Sequence, residues 1–251
     1  HQVPERFRII ALAMSAVFIC YIDRVVISLT IIPMGVELGW TNTEKGIVLG
    51  SFYLAYMVTQ IYGGILSDRI GAKIVLGIGL ITWSLFTLVT PLAAAAGFTI
   101  LILARLGMGL GEGVTFPAWH SLYARWIPKS ERSRSVAATN SAIPLGTIFG
   151  LVVTPIIIVK LSWQWAFYLY GAIGFVWYYF WGKYVTSSPS ESTTISAKEL
   201  TYITDNAPAS GPGEDLDWRI WLFNKPLWAI AVAHFCNCLL YTSDAADDTP
   251  C

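Results

Sequence analysis

The chain is predicted to be an all-α membrane protein, and three observations predict it. The sequence is 55% hydrophobic and only 13% charged, whereas soluble domains average about 25% charged residues. Six stretches reach the roughly 20 helical residues that a hydrocarbon core of about 30 Å requires. Basic residues also fall almost wholly on one side of those stretches, which is the charge asymmetry of a multi-pass membrane protein. A zero formal net charge hides this segregation, and the composition argues against a soluble enzyme.

The spacing predicts helices over 9–34, 45–67, 74–95, 99–123, 135–159 and 164–185, with a seventh starting at Pro226. The first is too long for a cleavable signal and carries Asp23 and Arg24 where a signal has a plain apolar core, so it reads as a resident helix. Of the 16 Lys and Arg residues, Arg24 and Arg105 lie within spans, only Lys45 and Lys160 lie on the far side, and the rest share the side of the amino terminus. The amino terminus is therefore expected to be cytoplasmic.

The organisation follows: 1–185 forms a six-helix bundle, 186–225 a cytoplasmic linker, and 226–237 the start of a truncated seventh helix. Ser196 with Glu199 three residues later suggests a short surface helix near 196–204. Six helices, a long internal loop and a new helix imply a repeat architecture. Residues 238–251, including Thr242-Ser243-Asp244-Ala245-Ala246-Asp247, resemble a frame translation of a common sequencing adapter and are expected to be non-native. Four cysteines form no disulfide or metal pattern; Cys20 lies in a span and the others crowd the carboxyl end. No metal and no cofactor is expected.

Four ionisable residues lie deep in apolar stretches: Asp23 and Arg24 in the first, Arg105 and Glu112 in the fourth. Each costs about 2.5 to 3.5 kcal/mol at a bilayer centre, so such residues pair, face a bundle interior or a water path, and serve ions or substrates. Arg105 and Glu112 are seven apart, nearly on one helix face and about 10 Å apart along the axis. Asp23 and Arg24 point about 100° apart and are not expected to pair with each other. Gly107, Gly109, Gly111 and Gly113 alternate along the fourth span, at up to about 1 kcal/mol each against Ala, which signals close backbone approach or local bending. Tyr53, Tyr56 and Gln60 form either a polar stripe facing the same cavity or an aromatic packing face. His120 reads as structural. The spans hold no nucleophile–base or metal-ligand constellation, so an enzyme is not expected.

The connection Gly64-Ile-Leu-Ser-Asp68-Arg69-Ile-Gly71-Ala-Lys73 resembles the signature of the major facilitator superfamily, with Ala72 where the family often has a basic residue. Gly64 would permit close helix packing and Gly71 a left-handed turn. Taken with Tyr21-Ile-Asp23-Arg24, the helix from Arg105 to Gly113, Trp126-Ile-Pro128 to Arg134, and Trp165 to Pro189, the chain is similar to the anion:cation symporter family. That group includes sialin, the vesicular glutamate transporters and bacterial sugar-acid transporters. The resemblance covers roughly residues 6–203 and implies the amino-terminal half of a twelve-helix fold that works by alternating access. It further implies that Arg24 or Arg105 engages an organic anion, that Asp23 and Glu112 exchange a coupling proton, and that Gly64, Asp68, Arg69, Gly71 and Lys73 belong to a conformational latch. The expected partners are a small organic anion, the lipid bilayer and the carboxyl-terminal half of the same carrier, with no nucleic acid. The expected membrane is a bacterial inner or plasma membrane, or else that of an organelle. The rival expectations are a sodium-coupled or facilitated phosphate carrier and a receptor that keeps the fold without moving solute.

Overall fold

The computed structural model describes residues 4–206, 223–229, 232, 233 and 236. They fall into two units, His1–Ala209 and Ser210–Cys251. In the second unit helical backbone begins at Lys225, where the Leu227 and Trp228 amides donate to the Asn224 carbonyl. Residues 207–222 of the expected 186–225 linker, and the expected non-native tail, lie outside the described residues.

The first unit is built of helices α1 (Glu5–Glu37), α2 (Asn42–Ile70), α3 (Ala72–Ala96), α4 (Phe98–Gly113), α5 (Thr115–Trp126), α6 (Lys129–Lys160), α7 (Trp163–Tyr184) and α8 (Ala197–Asn206). Among the described residues, α1, α3, the α4–α5 stretch and α6 are long and apolar enough to cross a membrane. Helices α2 and α7 have 29 and 22 residues, enough for about 30 Å or more at 1.5 Å per residue. Their hydropathy is lowered by Tyr, Thr and Gly in α2 and by Trp and Tyr in α7.

One expected span is two helices. The fourth stretch breaks at Val114, between α4 and α5. Gly111 and Gly113 precede the break and Pro117 follows it; Pro117 has no amide to give the Gly113 carbonyl, so the ladder cannot run through. At the other end of the connection α6 starts at Lys129, directly after Pro128, six residues before the apolar run. Its polar first turns stand beyond the hydrophobic stretch.

Packing runs α6 on α1, α1 on α7, α7 on α3, α3 on α4, and α4 on α2. Small residues set these approaches. A Cβ at Gly107 would enter the Phe86 ring of α3, and one at Gly111 would sit 2.6 Å from the Trp83 amide nitrogen. On the opposite face, Gly109 abuts the Phe52 carbonyl of α2 and a Cβ at Gly113 would sit 2.6 Å from the Tyr56 carbonyl. The alternation expected to allow close approach therefore serves two neighbours at once, because residues two apart on a helix face opposite sides. The expectation for Gly64 needs correcting. A Cβ there would meet Pro117 at an ordinary 3.7 Å, whereas one at Gly63 would be 3.0 Å from Val114 Cα. The α5 break brings Val114 against α2, and only the residue before Gly64 faces it.

On the side that holds the amino terminus, buried indoles bind the elements together. Trp126 donates to the Thr186 carbonyl at 3.1 Å and Trp181 to the Lys73 carbonyl at 3.0 Å. The surface helix forms as α8, with the Glu199 amide donating to Ser196 Oγ at 3.2 Å. The Glu199 side chain reaches elsewhere. Its carboxylate accepts the Glu5 and Arg6 backbone amides at 3.1 and 3.2 Å, capping the start of α1. Arg6 in turn bridges Glu131 at 2.9 Å and Glu199 at 3.2 Å, tying α1, α6 and α8.

Candidate functional site

The four charges converge from α1 and α4. Arg24 Nε pairs with Glu112 Oε1, and the Cys20 thiol, one turn earlier on α1, donates to the same oxygen at 3.1 Å. Glu112 is fully buried, and its second oxygen has no partner. Asp23 is likewise fully buried. It accepts from Trp83 Nε1 at 3.1 Å through Oδ2, while Oδ1 is unpartnered. Adjacent Asp23 and Arg24 thus face different neighbours, as the 100° step between consecutive helical residues requires.

Arg105 is 3% exposed. Its Nη1 approaches Met108 Sδ at 3.0 Å, Nε has no partner, and no carboxylate lies within ion-pair distance among the described residues. A cavity of about 230 Å³ brings it together with Arg24, lined also by Ile27, Ser28, Leu49, Phe52, Tyr53 and Met108. No acidic side chain lines that space. One guanidinium there is matched by a carboxylate from behind and the other is not. Such a cavity suits an anion, because a guanidinium stays charged and presents two parallel donors to a carboxylate or phosphate.

The aromatic stripe of α2 divides. Tyr53 lines the cavity, Tyr56 lies against Arg24 with 4.5 Å from the ring centroid to Cζ, and Gln60 is exposed and outside the lining. Gln60 shares the face of Tyr53 but stands about 10 Å further along α2, beyond the cavity. His120 stacks on Trp119 at 3.6 Å between ring centroids and contacts the Phe116 carbonyl through Nδ1 at 2.7 Å, and it does not line the cavity.

The α2–α3 connection is as tight as its composition requires. Gly71 has φ +96°, a backbone conformation that side-chain-bearing residues avoid. Asp68 accepts from Ser121 Oγ of α5 at 2.8 Å. Arg69 is exposed and Lys73 half-buried.

Sequence reasoning missed Cys20, Phe52, Trp83 and Met108, and with them the cavity-lining Ile27, Ser28 and Leu49. Cys20 and Phe52 stand one turn or less from residues that it did single out. Trp83 comes from α3, 60 positions from Asp23, and no linear spacing points to it.

The Major Facilitator Superfamily model matches residues 13–246. The chain is 40% identical over 236 residues to a probable chloroplastic anion transporter of Oryza sativa subsp. japonica, covering 94% of this chain and 40% of that protein. It is 40% identical over 236 residues to a chloroplastic sodium-dependent phosphate transport protein of Arabidopsis thaliana, covering 94% and 46%. It is 38% identical over 210 residues to human sialin, covering 83% and 42%. The chain therefore spans less than half the length of these relatives. Among solved structures it resembles an inward-facing, occupied bacterial homolog of the human lysosomal transporter Spinster. The TM-score is 0.68 at 20% identity, covering 75% of this chain and 46% of that one, a likeness of fold. The match over nearly the whole chain, the helical architecture and relatives of the anion:cation symporter group agree: the chain belongs to the major facilitator superfamily, a family of membrane transporters and not of enzymes.

Proposed function

We propose that the chain is the amino-terminal half of a secondary active transporter that carries a small organic anion, such as a sugar acid or another carboxylate, together with a proton. One observation carries this reading: Arg24 is paired with buried Glu112, while Arg105 faces the same cavity without a carboxylate. Arg105 is the standing anchor for the anion. A proton placed on Glu112 removes the charge that holds Arg24 and frees a second guanidinium for the same substrate. Release of the proton restores the Arg24–Glu112 pair and weakens the hold on the anion. Binding and protonation then favour each other, which is what symport requires. Asp23, held by Trp83, is the second proton-exchanging candidate.

The remaining cavity wall comes from the carboxyl-terminal half of the carrier. Gly64, Asp68, Arg69, Gly71 and Lys73 form the latch between the halves, on the cytoplasmic side with the amino terminus. The membrane is a plasma or bacterial inner membrane, or an organelle membrane, toward which the chloroplastic relatives weigh.

The test is uptake of labelled sugar acids into proteoliposomes by the full-length carrier, with and without Glu112→Gln. Proton-driven accumulation should collapse in the variant while counterflow exchange continues. A variant that accumulates as the parent does sinks the coupling role of Glu112. The sodium-dependent phosphate relative favours a second reading, a sodium-coupled or facilitated phosphate carrier. It predicts phosphate uptake that follows a sodium gradient or needs none.

A further inference from the structure

Phe52 has no assigned role, yet both guanidinium groups of the cavity rest on its ring. The ring centroid lies 5.1 Å from Arg105 Cζ and 5.7 Å from Arg24 Cζ. Each distance is within the roughly 6 Å over which an aromatic quadrupole attracts a cation. Phe52 is only 2% exposed, so water does not screen these contacts. The ring is also fixed. Tyr56 stacks on it at 5.6 Å with planes 26° apart, and Tyr53 meets it edge-on at 5.1 Å. Its own carbonyl abuts Gly109, where the lack of a side chain locks this turn of α2 against α4.

Two like charges in one small cavity repel, and of the two only Arg24 has a carboxylate within ion-pair distance to offset this. Arg105 lacks one among the described residues. Its identified close contacts are the Met108 sulfur and the Phe52 ring, while Glu112 and Asp23 act on it from beyond ion-pair distance. We propose that Phe52 is a positioning residue: its ring holds Arg24 and Arg105 at a fixed separation toward the cavity, and thereby sets how tightly an anion is bound. The inference rests on the reading of this cavity as an anion site. When Glu112 takes a proton and releases Arg24, the ring keeps that guanidinium beside Arg105. The substrate then meets two pre-placed donors and does not have to gather them.

The experiment is a series of full-length carriers with Phe52→Leu, Phe52→Tyr, and mono-, di- and trifluorinated phenylalanine at position 52. Labelled glucuronate, ascorbate and inorganic phosphate serve as probes in proteoliposomes. Fluorination weakens the ring quadrupole with little change of shape, so it separates the cation contact from packing. KM should rise stepwise with fluorine number and by about thirtyfold in Phe52→Leu, the size of one desolvated cation–π contact. Maximal rate should stay nearly constant, and Phe52→Tyr should keep the parental KM. A flat KM across the fluorinated series, or a fall in maximal rate alone, overturns the proposal even where Phe52→Leu fails to fold. The parent protein distinguishes the two levels: uptake of phosphate alone overturns the organic-anion reading and leaves Phe52 to be judged with phosphate. Uptake of none of the probes overturns the transport reading and this inference together.

Discussion

Arg105 and Trp83 show how much depends on single side chains. Arg105 has its guanidinium in a cavity without a carboxylate, so its replacement should act on substrate and hardly on folding. Arg105→Lys keeps the charge and loses the two parallel donors, and it should raise KM by about tenfold or more, the equivalent of one charge-assisted hydrogen bond. Uptake kinetics of the reconstituted carrier measure this. Trp83 behaves in the opposite way. It supplies the one hydrogen bond found for buried Asp23, and Trp83→Phe leaves a fully buried carboxyl group without a donor. A loss of about 1 to 3 kcal/mol is expected, read as a lower midpoint of thermal unfolding in detergent. An unchanged midpoint would mean that Asp23 finds another donor.

At the scale of elements, glycine placement makes sharp and opposite predictions for neighbouring positions. Gly111→Ala would put a methyl 2.6 Å from the Trp83 backbone nitrogen, forcing α3 and α4 apart at a cost of about 1 to 3 kcal/mol. Gly63→Ala should destabilise as well, since its Cβ would sit 3.0 Å from Val114 Cα. Gly64→Ala meets only ordinary contact and should be neutral or slightly stabilising, by up to about 1 kcal/mol of helix propensity. Unfolding midpoints of the three variants give the order. The glycines of α4 were legible as a close-packing signal because their cost has to be repaid somewhere. Which glycine of the 63–64 pair matters was not, because it depends on where α5 turns after Val114. At the far-side start of α2 the capping box was a local matter. Thr41 and Glu44 bond each other's backbone amides, and these bonds hold the Glu44 carboxyl below the usual carboxylate range. A group whose folded pKa is lowered contributes stability above its unfolded value and loses it as pH falls through the folded one. Fraying of this helix start, followed by hydrogen exchange, should therefore increase on acidification below the ordinary Glu range.

Over the whole molecule, α8 closes the amino-terminal side by a contact between residues 194 positions apart. Glu199→Ala removes the acceptor of two backbone amides of α1 and half of the Arg6 bridge. It should cost about 0.5 to 2 kcal/mol, as loss of a helix cap does, and hydrogen exchange at residues 5–8 should quicken while the α4 core stays protected. Unaltered exchange there would show that α8 adds nothing to the start of α1.

What the sequence determined by itself was whatever depends on composition and local period. Membrane-length apolar runs require helices, the distribution of Lys and Arg orients them, and buried charges mark the place where function is concentrated. The order of its motifs also pointed to the family. Only the tertiary structure decided partners. Glu112 could have served Arg24, Arg105 or neither, and Asp23 could have served Arg105 or neither. Their partners are chosen by how α1, α3 and α4 turn against one another, across separations of 88 positions for Arg24 with Glu112 and 60 for Trp83 with Asp23. A helical period fixes the direction in which a side chain leaves its own axis. It does not contain the rotation and depth of the neighbouring helix, which the glycine contacts of α4 with α2 and α3 set here.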